Sequence, residues 1–196
     1  MNQQEIIKFF DRCAPVWDAK MIRDDAVIDA ILDNAGVEAG DCVLDVACGT
    51  GVLIPDYLLR GVSLVTAVDI SPEMIAHARR KFSQPNVHLI CADVETLTFE
   101  SAFDRIIVYN AFPHFFRPAR LIEKLAGDLK PGGVLTVAHG MSRSSIDRHH
   151  QSTASSVSIG LMHEDQLETL LGQYLTVKVK ISNERMYQVA GIKDKF

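Results

Sequence analysis

Small residues and carboxylates stand together at the ends of apolar runs in the first half of the chain. The run Val43–Val46 contains Asp45 and leads into Ala47-Cys48-Gly49-Thr50-Gly51, a second run ends at Asp69, and a third is followed by Asp93. Small residues let the backbone of a loop approach a ligand closely, and a carboxylate at a strand end can accept hydrogen bonds from both hydroxyls of a ribose. The pattern therefore predicts a site for a ligand that contains a ribose.

Histidines follow the later apolar runs. His114 lies just beyond the fourth run and His139 ends the fifth. An unperturbed histidine titrates near neutrality, so either could take a proton from a reacting group. We favour His114 and His139 as catalytic candidates because strand-end positions are the most fixed. A structural role is the alternative for each.

Arg143 and His149, further along the chain, are candidates for the substrate side of the same site, since an arginine could hold an anionic substrate. We expect no metal site. The histidines in Asp147-Arg148-His149-His150 lack the i, i+4 spacing of paired histidine ligands, and no C-x-x-C pair supports them.

These residues need a sheet that brings strand ends to one edge. Apolar runs alternate with segments of helical periodicity, which predicts parallel strands covered on both faces and joined by right-handed crossovers. The predicted strands are Cys42–Ala47, Ser63–Val68, Val87–Cys91, Arg105–Tyr109 and Val134–Ala138. The predicted helices are Asp24–Asn34, Ile54–Arg60, one that opens at Ser71-Pro72, and Pro118–Leu129, which stops before the breaker Lys130-Pro131-Gly132-Gly133.

The C-terminal part departs from this alternation. The strand-like runs Leu175–Ile181 and Met186–Ile192 follow a helix at Glu164–Leu171, and the short link between them predicts an antiparallel hairpin. A dinucleotide-binding sheet has six parallel strands instead. A nicotinamide site is further disfavoured because Ile54 occupies the third glycine position of a G-x-G-x-x-G motif.

The segment Val43–Gly51 resembles the first motif of class I S-adenosylmethionine-dependent methyltransferases. Residues 67–71, 91–95, 103–110 and 129–133 resemble the motifs that follow, in the same order. The resemblance implies S-adenosyl-L-methionine as the cofactor. It also implies the Rossmann-like methyltransferase fold of the α/β class: a doubly wound seven-stranded sheet, five parallel strands plus the C-terminal hairpin, in the order 3-2-1-4-5-7-6.

The resemblance also gives roles to site residues. Those expected at the methionine and ribose parts of the cofactor are Asp45, which supports the ammonium group, and Ala47, Cys48, Gly49, Gly51 and Asp69. Those expected near the adenine are Ile70, Met74, Asp93 and Val94, with Asn110 after the fourth strand as a further cofactor residue. Ala47 departs from the family pattern, which commonly has glycine there. The alternatives are a generic strand-to-helix turn for the loop, core packing for Met74 and a solvated position for Asp93.

The N-terminal stretch from Phe9 to Asp18 is similar to the F-D-x-x-A-x-x-Y/W-D opening of ubiquinone and menaquinone biosynthesis methyltransferases. The similarity implies that residues 1–36 form a helical lid over cofactor and substrate, with Trp17 as a pocket wall. An amphipathic helix packed on the sheet is the alternative. Residues 141–160 are expected to be a substrate-side loop, because a long connection at the carboxyl edge of a sheet is usually functional or mobile.

The composition is that of one globular domain, residues 1–196, with 47% hydrophobic residues and a net charge of −5. The acidic balance argues against a nucleic-acid partner. No membrane span or secretory signal is evident, so we expect a cytoplasmic protein. The predicted function is S-adenosylmethionine-dependent methyl transfer to a small-molecule acceptor. The alternatives are a non-catalytic domain that binds S-adenosylmethionine or S-adenosylhomocysteine, and a nicotinamide-dependent reductase.

Overall fold

The computed structural model describes residues 3–99, 102–153 and 155–195, which form one seven-stranded sheet with packed helices. The strands are β1 Cys42–Val46, β2 Leu64–Asp69, β3 Val87–Cys91, β4 Phe103–Tyr109, β5 Leu129–His139, β6 Thr176–Ser182 and β7 Tyr187–Ile192. The helices are α1 Gln3–Cys13, α2 Trp17–Lys20, α3 Asp25–Asn34, α4 Ile54–Leu59, α5 Pro72–Lys81, α6 Pro118–Asp128, α7 Arg143–Thr153 and α8 Glu164–Leu171. None of the described helices is both long and apolar enough to cross a bilayer.

The strand order is β3-β2-β1-β4-β5-β7-β6. The first five strands pair in parallel, whereas β7 is antiparallel to both β5 and β6. This confirms the fold class and the order predicted from the sequence. It also places the ends of β1, β2 and β4 beside one another, which is where the predicted site residues lie.

The central strands are mainly apolar because each face of the sheet packs on its own core. Val43 joins a cluster with α3, α4 and α5, and its neighbour Leu44 joins another with α6 and α8. Successive side chains of a strand point to opposite faces. A strand covered on both faces therefore needs apolar residues at nearly every position. The edge strand β3 does not follow this rule, since none of its residues is buried.

The predicted breaker Lys130-Pro131-Gly132-Gly133 lies inside β5 rather than before it. Phe103 of β4 pairs with Leu129 and Arg105 pairs with Val134, so the segment between bulges out of the ladder. Lys193 stabilises the bulge: its carbonyl accepts from the Gly132 amide and its amide donates to the Gly133 carbonyl, both at 2.8 Å. The sequence pattern did not reveal this support because it comes from the far end of the chain.

The expectation of a loop at 141–160 is wrong for most of that segment. It contains α7 and a 3-10 turn at Ser155–Val157. Ile146, Val157 and Leu161 are buried, and the Ser142 hydroxyl accepts a hydrogen bond from the Ser145 amide at the start of the helix. A few apolar residues among many polar ones anchor the segment, which is why its periodicity was weak.

The N-terminal helices fall into two groups. Helix α3 belongs to the core rather than to a lid, since Val27, Ile28, Ile31 and Leu32 are at most 3% exposed. Helices α1 and α2 bury no residue in the core and lie over the strand ends. The part of the predicted lid that lies over the strand ends is therefore Gln3–Lys20, called the N-terminal lid below.

Candidate functional site

A cavity of about 1070 Å³ lies between the carboxyl ends of the strands and the N-terminal lid. The predicted residues that line it are Trp17, Asp45, Ala47, Cys48, Gly49, Asp69, Ile70, Met74, Asp93, Val94, Asn110, His114 and His139. Gly51 and Arg143 are not among the lining residues. The side chain of His149 falls outside the described part of the chain. The fold thus brings nearly all the sequence-predicted residues to one place.

The loop after β1 is tied to the end of β2. The Cys48 amide donates to the Val68 carbonyl at 3.0 Å, and the Gly49 amide donates to Asp69 Oδ2 at 2.8 Å. Ala47 has a φ of +54° in this loop. The left-handed region of the backbone costs a residue with a Cβ about 1–2 kcal/mol of conformational free energy. The position therefore explains why related sequences commonly have glycine there.

Asp69 is a buried carboxylate aimed by backbone groups. Its Oδ1 accepts from the Ser71 amide at 2.8 Å while Oδ2 holds Gly49. Burial raises the pKa of Asp69, and the two amides act in the opposite direction. Each oxygen keeps a further lone pair. Asp69 can thus hold the loop after β1, called the glycine loop below, and accept hydrogen bonds from a ligand at the same time.

Asp45 lines the cavity but is only 2% exposed, and among the described residues its Oδ2 has no hydrogen-bond partner. Burial, followed by the charges of Asp69 and Asp56, raises the pKa of Asp45 to about 8. A buried polar atom without a partner is costly unless a ligand or water satisfies it. A cationic ligand group beside Oδ2 would satisfy the carboxylate and restore its charge.

Gly51 has a packing role that the motif did not indicate, and its cofactor contact stays a prediction. Its φ is +84°, and an added Cβ would lie 2.6 Å from Phe82 Cε2 and 2.8 Å from Ile54 Cδ1. Glycine is required here because two core side chains approach the backbone closely. The motif was recognised correctly in the sequence, but its second glycine faces the protein interior.

The adenine side of the predicted site is built on the 3-10 turn that follows β3. Asp93 accepts from the Glu95 amide at 2.9 Å and from the Gln3 side chain of the lid at 2.7 Å. Val94 and Met74 line the cavity and are nearly buried. Met74 thus fits both its interpretations, since it packs in the interior and forms part of the cavity wall.

Two lid carboxylates that the sequence analysis left without a role hold the lid on the strand ends. Asp11 accepts from the Ser71 hydroxyl at 2.6 Å. Asp18 accepts from the Thr50 hydroxyl at 2.5 Å and from Lys81 Nζ at 2.7 Å. Both acids belong to the F-D-x-x-A-x-x-Y/W-D pattern, so the signal was present in the sequence. Their partners lie on the loops after β1 and β2, which are distant from the lid in the sequence.

Aromatic rings line the part of the cavity under the lid. Phe10 makes edge-to-face contacts with Trp17, at 5.9 Å between centroids, and with His114, at 5.0 Å. The Nδ1 atom of His114 lies 2.7 Å from the Val157 carbonyl. A carbonyl only accepts, so Nδ1 is the donor, and the lone pair of a neutral ring is on Nε2. The segment after α7 thereby sets the tautomer of His114.

His139 and Arg143 have different surroundings. His139 lines the cavity at the end of β5, is 1% exposed, and contacts the Tyr187 ring edge-to-face at 6.1 Å. Arg143 Nη1 lies 3.7 Å from Asp147 Oδ2, and Arg143 Nε lies 3.7 Å from Glu164 Oε2. It therefore links α7 to α8 rather than facing the cavity. Within the described residues, no group of three metal-ligating side chains comes together.

Comparison with protein families gives this geometry a context. Residues 43–133 match the family described as "Methyltransferase domain". The match covers 91 of the 196 residues of the chain. It begins in β1, whose loop supplies Ala47 and Gly49, and it includes Asp69, Asp93 and His114. The lid and the C-terminal hairpin lie outside the match.

Curated proteins that the chain resembles carry the names of O-methyltransferases. The chain is 33% identical over 129 residues to a malonyl-[acyl-carrier protein] O-methyltransferase of Acetivibrio thermocellus, covering 64% of this chain and 46% of the relative. It is 31% identical over 143 residues to a ubiquinone biosynthesis O-methyltransferase of Coxiella burnetii, covering 69% and 61%. The matches confirm the resemblance drawn from the sequence. The chain spans about half the length of these curated relatives.

Solved structures share the fold over nearly the whole chain. A Haloferax volcanii protein, described as a putative methyltransferase in complex with the Trm112 methyltransferase activator, superposes with a TM-score of 0.81 at 19% identity, covering 96% of this chain and 97% of that one. The N-methyltransferase NodS of Bradyrhizobium japonicum, solved with S-adenosyl-l-homocysteine, gives a TM-score of 0.65 at 15% identity, covering 86% of each chain. At these identities the likeness concerns the fold.

Proposed function

We propose that this protein is a methyltransferase that uses S-adenosyl-L-methionine and acts on a small-molecule acceptor. The cavity carries the proposal. Sites for one drug-sized ligand measure roughly 300–1,000 Å³, whereas this cavity measures about 1070 Å³. It is polar along the loops after β1, β2 and β3 and aromatic under the lid. Its size and its two halves suit a cofactor and a second molecule side by side.

The residues present fit the cofactor. The unpartnered Oδ2 of Asp45 suits the ammonium group of the methionine part, and the remaining lone pairs of Asp69 suit the ribose hydroxyls. Asp93 and Val94 would flank the adenine. When bound, the cofactor supplies an electrophilic methyl group on a sulfonium. The NodS complex with S-adenosylhomocysteine and the family of residues 43–133 support the same assignment.

The protein's own contribution to methyl transfer is alignment and the exclusion of water. The lid covers the cavity through Asp11 and Asp18, which contact the loops on which the cofactor would rest. A base is required when the acceptor arrives protonated. His114 suits that role, because the Val157 carbonyl fixes Nδ1 as the donor and leaves the basic lone pair on Nε2. His139 lies on the wall of the same cavity and is the second candidate.

The aromatic half of the cavity favours an enzyme over a non-catalytic cofactor-binding domain, which would need no acceptor space. The acidic balance of the chain supports a small acceptor over a nucleic acid. The Trm112 complex of the H. volcanii neighbour makes addition of such an activator a useful arm of the assay.

Titration calorimetry with S-adenosylhomocysteine and with NADH tests the cofactor. Transfer of a labelled methyl group to a panel of small phenols, alcohols, amines and carboxylic acids tests the activity. We expect binding of S-adenosylhomocysteine and turnover of at least one class. Binding without turnover of any acceptor, with or without an activator, would favour the non-catalytic alternative. Binding of NADH alone would overturn the proposal.

His114→Asn separates the base from the binding function. Asparagine keeps a donor for the Val157 carbonyl but provides no basic nitrogen. General-base catalysis typically contributes 10²–10⁴-fold, so kcat should fall by about that factor while the affinity for S-adenosylhomocysteine stays within about twofold. A parallel His139→Asn variant shows which histidine is used. Unchanged kcat in His114→Asn would remove it from the mechanism.

A further inference from the structure

The amino-acid part of S-adenosyl-L-methionine carries two charged groups, and the site described above accounts for one of them. The Oδ2 atom of Asp45 suits the ammonium group. The carboxylate is bonded to the same carbon atom as that ammonium group, so it must lie near the glycine loop. Asp69, a second buried carboxylate, holds this loop and lines the same cavity, and it repels an anion there. The cofactor carboxylate therefore needs hydrogen-bond donors, and a cation favours it further.

The glycine loop itself has few donors to offer. The amides of Cys48, Gly49 and Gly51 already donate to acceptors within the protein. The Thr50 hydroxyl donates to Asp18 of the lid. Each backbone amide and each hydroxyl carries a single hydrogen. Donors for the carboxylate must therefore come mainly from the opposite side of the cavity, which is the N-terminal lid.

Two side chains of helix α2 supply donors on that side. Trp17 and Lys20 both line the cavity, and they stand three residues apart, which places them on one face of a helix. A Cβ added to Gly49 would meet one atom of the described residues within 4 Å, Trp17 Nε1 at 3.7 Å. The indole nitrogen thus lies against the glycine loop. Within the residues that the structure describes, neither Trp17 Nε1 nor Lys20 Nζ has a hydrogen-bond partner.

Arg117 is the other lysine or arginine among the described residues that line the cavity, but it is engaged on the adenine side. Its Nη2 atom lies 3.3 Å from Glu95 Oε2. Glu95 stands in the 3-10 turn that builds the adenine side of the predicted site. Lys20 differs, since no carboxylate of the described residues lies within 4.0 Å of its Nζ. Lys20 is therefore the cation that is available to the amino-acid part of the cofactor.

We propose that the N-terminal lid recognises the carboxylate of the cofactor's amino-acid part: Trp17 Nε1 donates a hydrogen bond to it, and Lys20 Nζ offsets its charge. The inference deepens the proposed function and rests on it. It gives Trp17 a polar contact besides its place in the aromatic wall. It also couples the lid to the ligand, because a ligand without the carboxylate leaves the lid to the contacts of Asp11 and Asp18.

A ligand that lacks only the carboxylate tests the inference. The amine 5′-deoxy-5′-(3-aminopropylthio)adenosine is S-adenosylhomocysteine without that group, and it keeps the ammonium group for Asp45 and the ribose for Asp69. Titration calorimetry on the whole chain at pH 8 compares the two ligands. A hydrogen bond to a charged group tightens binding by about tenfold or more. We therefore expect S-adenosylhomocysteine to bind at least about tenfold more tightly than the amine, and to protect the N-terminal lid more strongly from hydrogen exchange.

Three variants separate recognition of the carboxylate from packing. Trp17→Phe keeps a ring beside Phe10 but removes the indole N–H, so the preference for S-adenosylhomocysteine over the amine should fall about tenfold. Lys20→Gln removes an exposed charge, and the preference should fall about two- to fivefold. Arg117→Gln removes the cation on the adenine side and should leave the preference unchanged. None of the three side chains is buried in the core, so the variants should fold, which thermal melts check.

The inference fails if the wild type binds both ligands equally, or if both ligands protect the lid from hydrogen exchange to the same extent. It also fails if Trp17→Phe weakens both ligands by the same factor, which would assign the indole to packing alone. A preference that disappears in Arg117→Gln and persists in Lys20→Gln would overturn the choice of cation. Failure of S-adenosylhomocysteine to bind the wild type would instead overturn the cofactor assignment, so the two failures are distinguishable.

Discussion

Asp45 should make the affinity for the cofactor depend on pH. Its pKa is raised to about 8 by burial and by the neighbouring charges of Asp69 and Asp56. At pH 7 the carboxyl of the ligand-free protein is therefore mostly protonated. An ammonium group next to Oδ2 favours the ionised form. Binding of S-adenosylhomocysteine, which carries the same amino-acid part as the cofactor, should then release a proton from Asp45.

The size of the effect follows from the pKa. For each pH unit below about 8, ionising Asp45 on binding costs a further 1.36 kcal/mol or so, which weakens the affinity for the ligand about tenfold. The dissociation constant of the wild-type protein should be about 50-fold higher at pH 6 than at pH 8, because Asp45 is already about half ionised at pH 8. At pH 7 about 0.9 proton should be released per ligand bound. Asp45→Asn cannot ionise, so it should bind more weakly and with little dependence on pH.

Titration calorimetry at pH 6, 7 and 8 measures these quantities. At pH 7 the titration is repeated in phosphate and in Tris, whose ionisation enthalpies differ, so that proton release appears as a difference in heat. The comparison with Asp45→Asn isolates Asp45 from Asp69, whose pKa is also raised. A flat pH profile for the wild type, or the same slope in both proteins, would refute the reasoning.

Asp45 should also affect the stability of the ligand-free protein, with a definite sign. Its pKa rises from 3.8 when unfolded to about 8 when folded, so the folded state binds more protons between these values. The free energy of unfolding therefore falls as the pH rises through this window. Asp45→Asn should melt at a higher temperature than the wild type at pH 8, and the difference should shrink toward pH 4. A difference in melting temperature between the two proteins that stays the same at every pH would contradict this.

Three substitutions test the loop and the lid. Ala47→Gly should raise the free energy of unfolding by about 1 kcal/mol, because relief of the left-handed strain at φ +54° exceeds the entropy that glycine loses. Gly51→Ala should lower it by about 2–4 kcal/mol, since the new Cβ would meet core atoms at 2.6 and 2.8 Å. Thermal melts measure both. Asp18→Asn should weaken S-adenosylhomocysteine binding by about tenfold and increase hydrogen exchange in the N-terminal lid, because the charged contacts to the glycine loop are weakened.

Controls for these substitutions come from the same chain. Gly127→Ala in α6 meets no atom within 4 Å and should stabilise the protein by up to about 1 kcal/mol. Asp165→Asn weakens an ion pair of 3.0 Å with Lys180, neither of which lines the cavity, and should leave ligand binding unchanged. A stabilising Gly51→Ala, a destabilising Ala47→Gly, or equal binding by Asp18→Asn and Asp165→Asn would each contradict the corresponding argument.

Local sequence pattern was enough to predict the sheet and most of the cavity wall. The central strands are buried on both faces, so apolar residues at nearly every position marked them. The short link before β7 required an antiparallel return. Asp45, Asp69 and Asp93 could be grouped in advance because parallel strands bring their carboxyl ends to one edge. The resemblance to methyltransferases added the strand order, which local pattern does not contain.

Features that depend on distant contacts came from the tertiary structure. The bulge in β5 depends on Lys193, the buried anchors of α7 lie among polar residues, and the backbone of Gly51 lies against the Phe82 ring. Each of these depends on a partner many residues away, and a local pattern carries no record of such a partner.

The candidate site divides in the same way. The sequence by itself determined which residue types stand at the strand ends, because strand periodicity and turn chemistry are local. The tertiary structure decided what those residues face: the burial that raises the pKa of Asp45, the Val157 carbonyl that sets the tautomer of His114, and the lid acids on the glycine loop. Burial and hydrogen bonding between distant segments exist only after the chain has folded, so the electrostatics of the site belong to the fold.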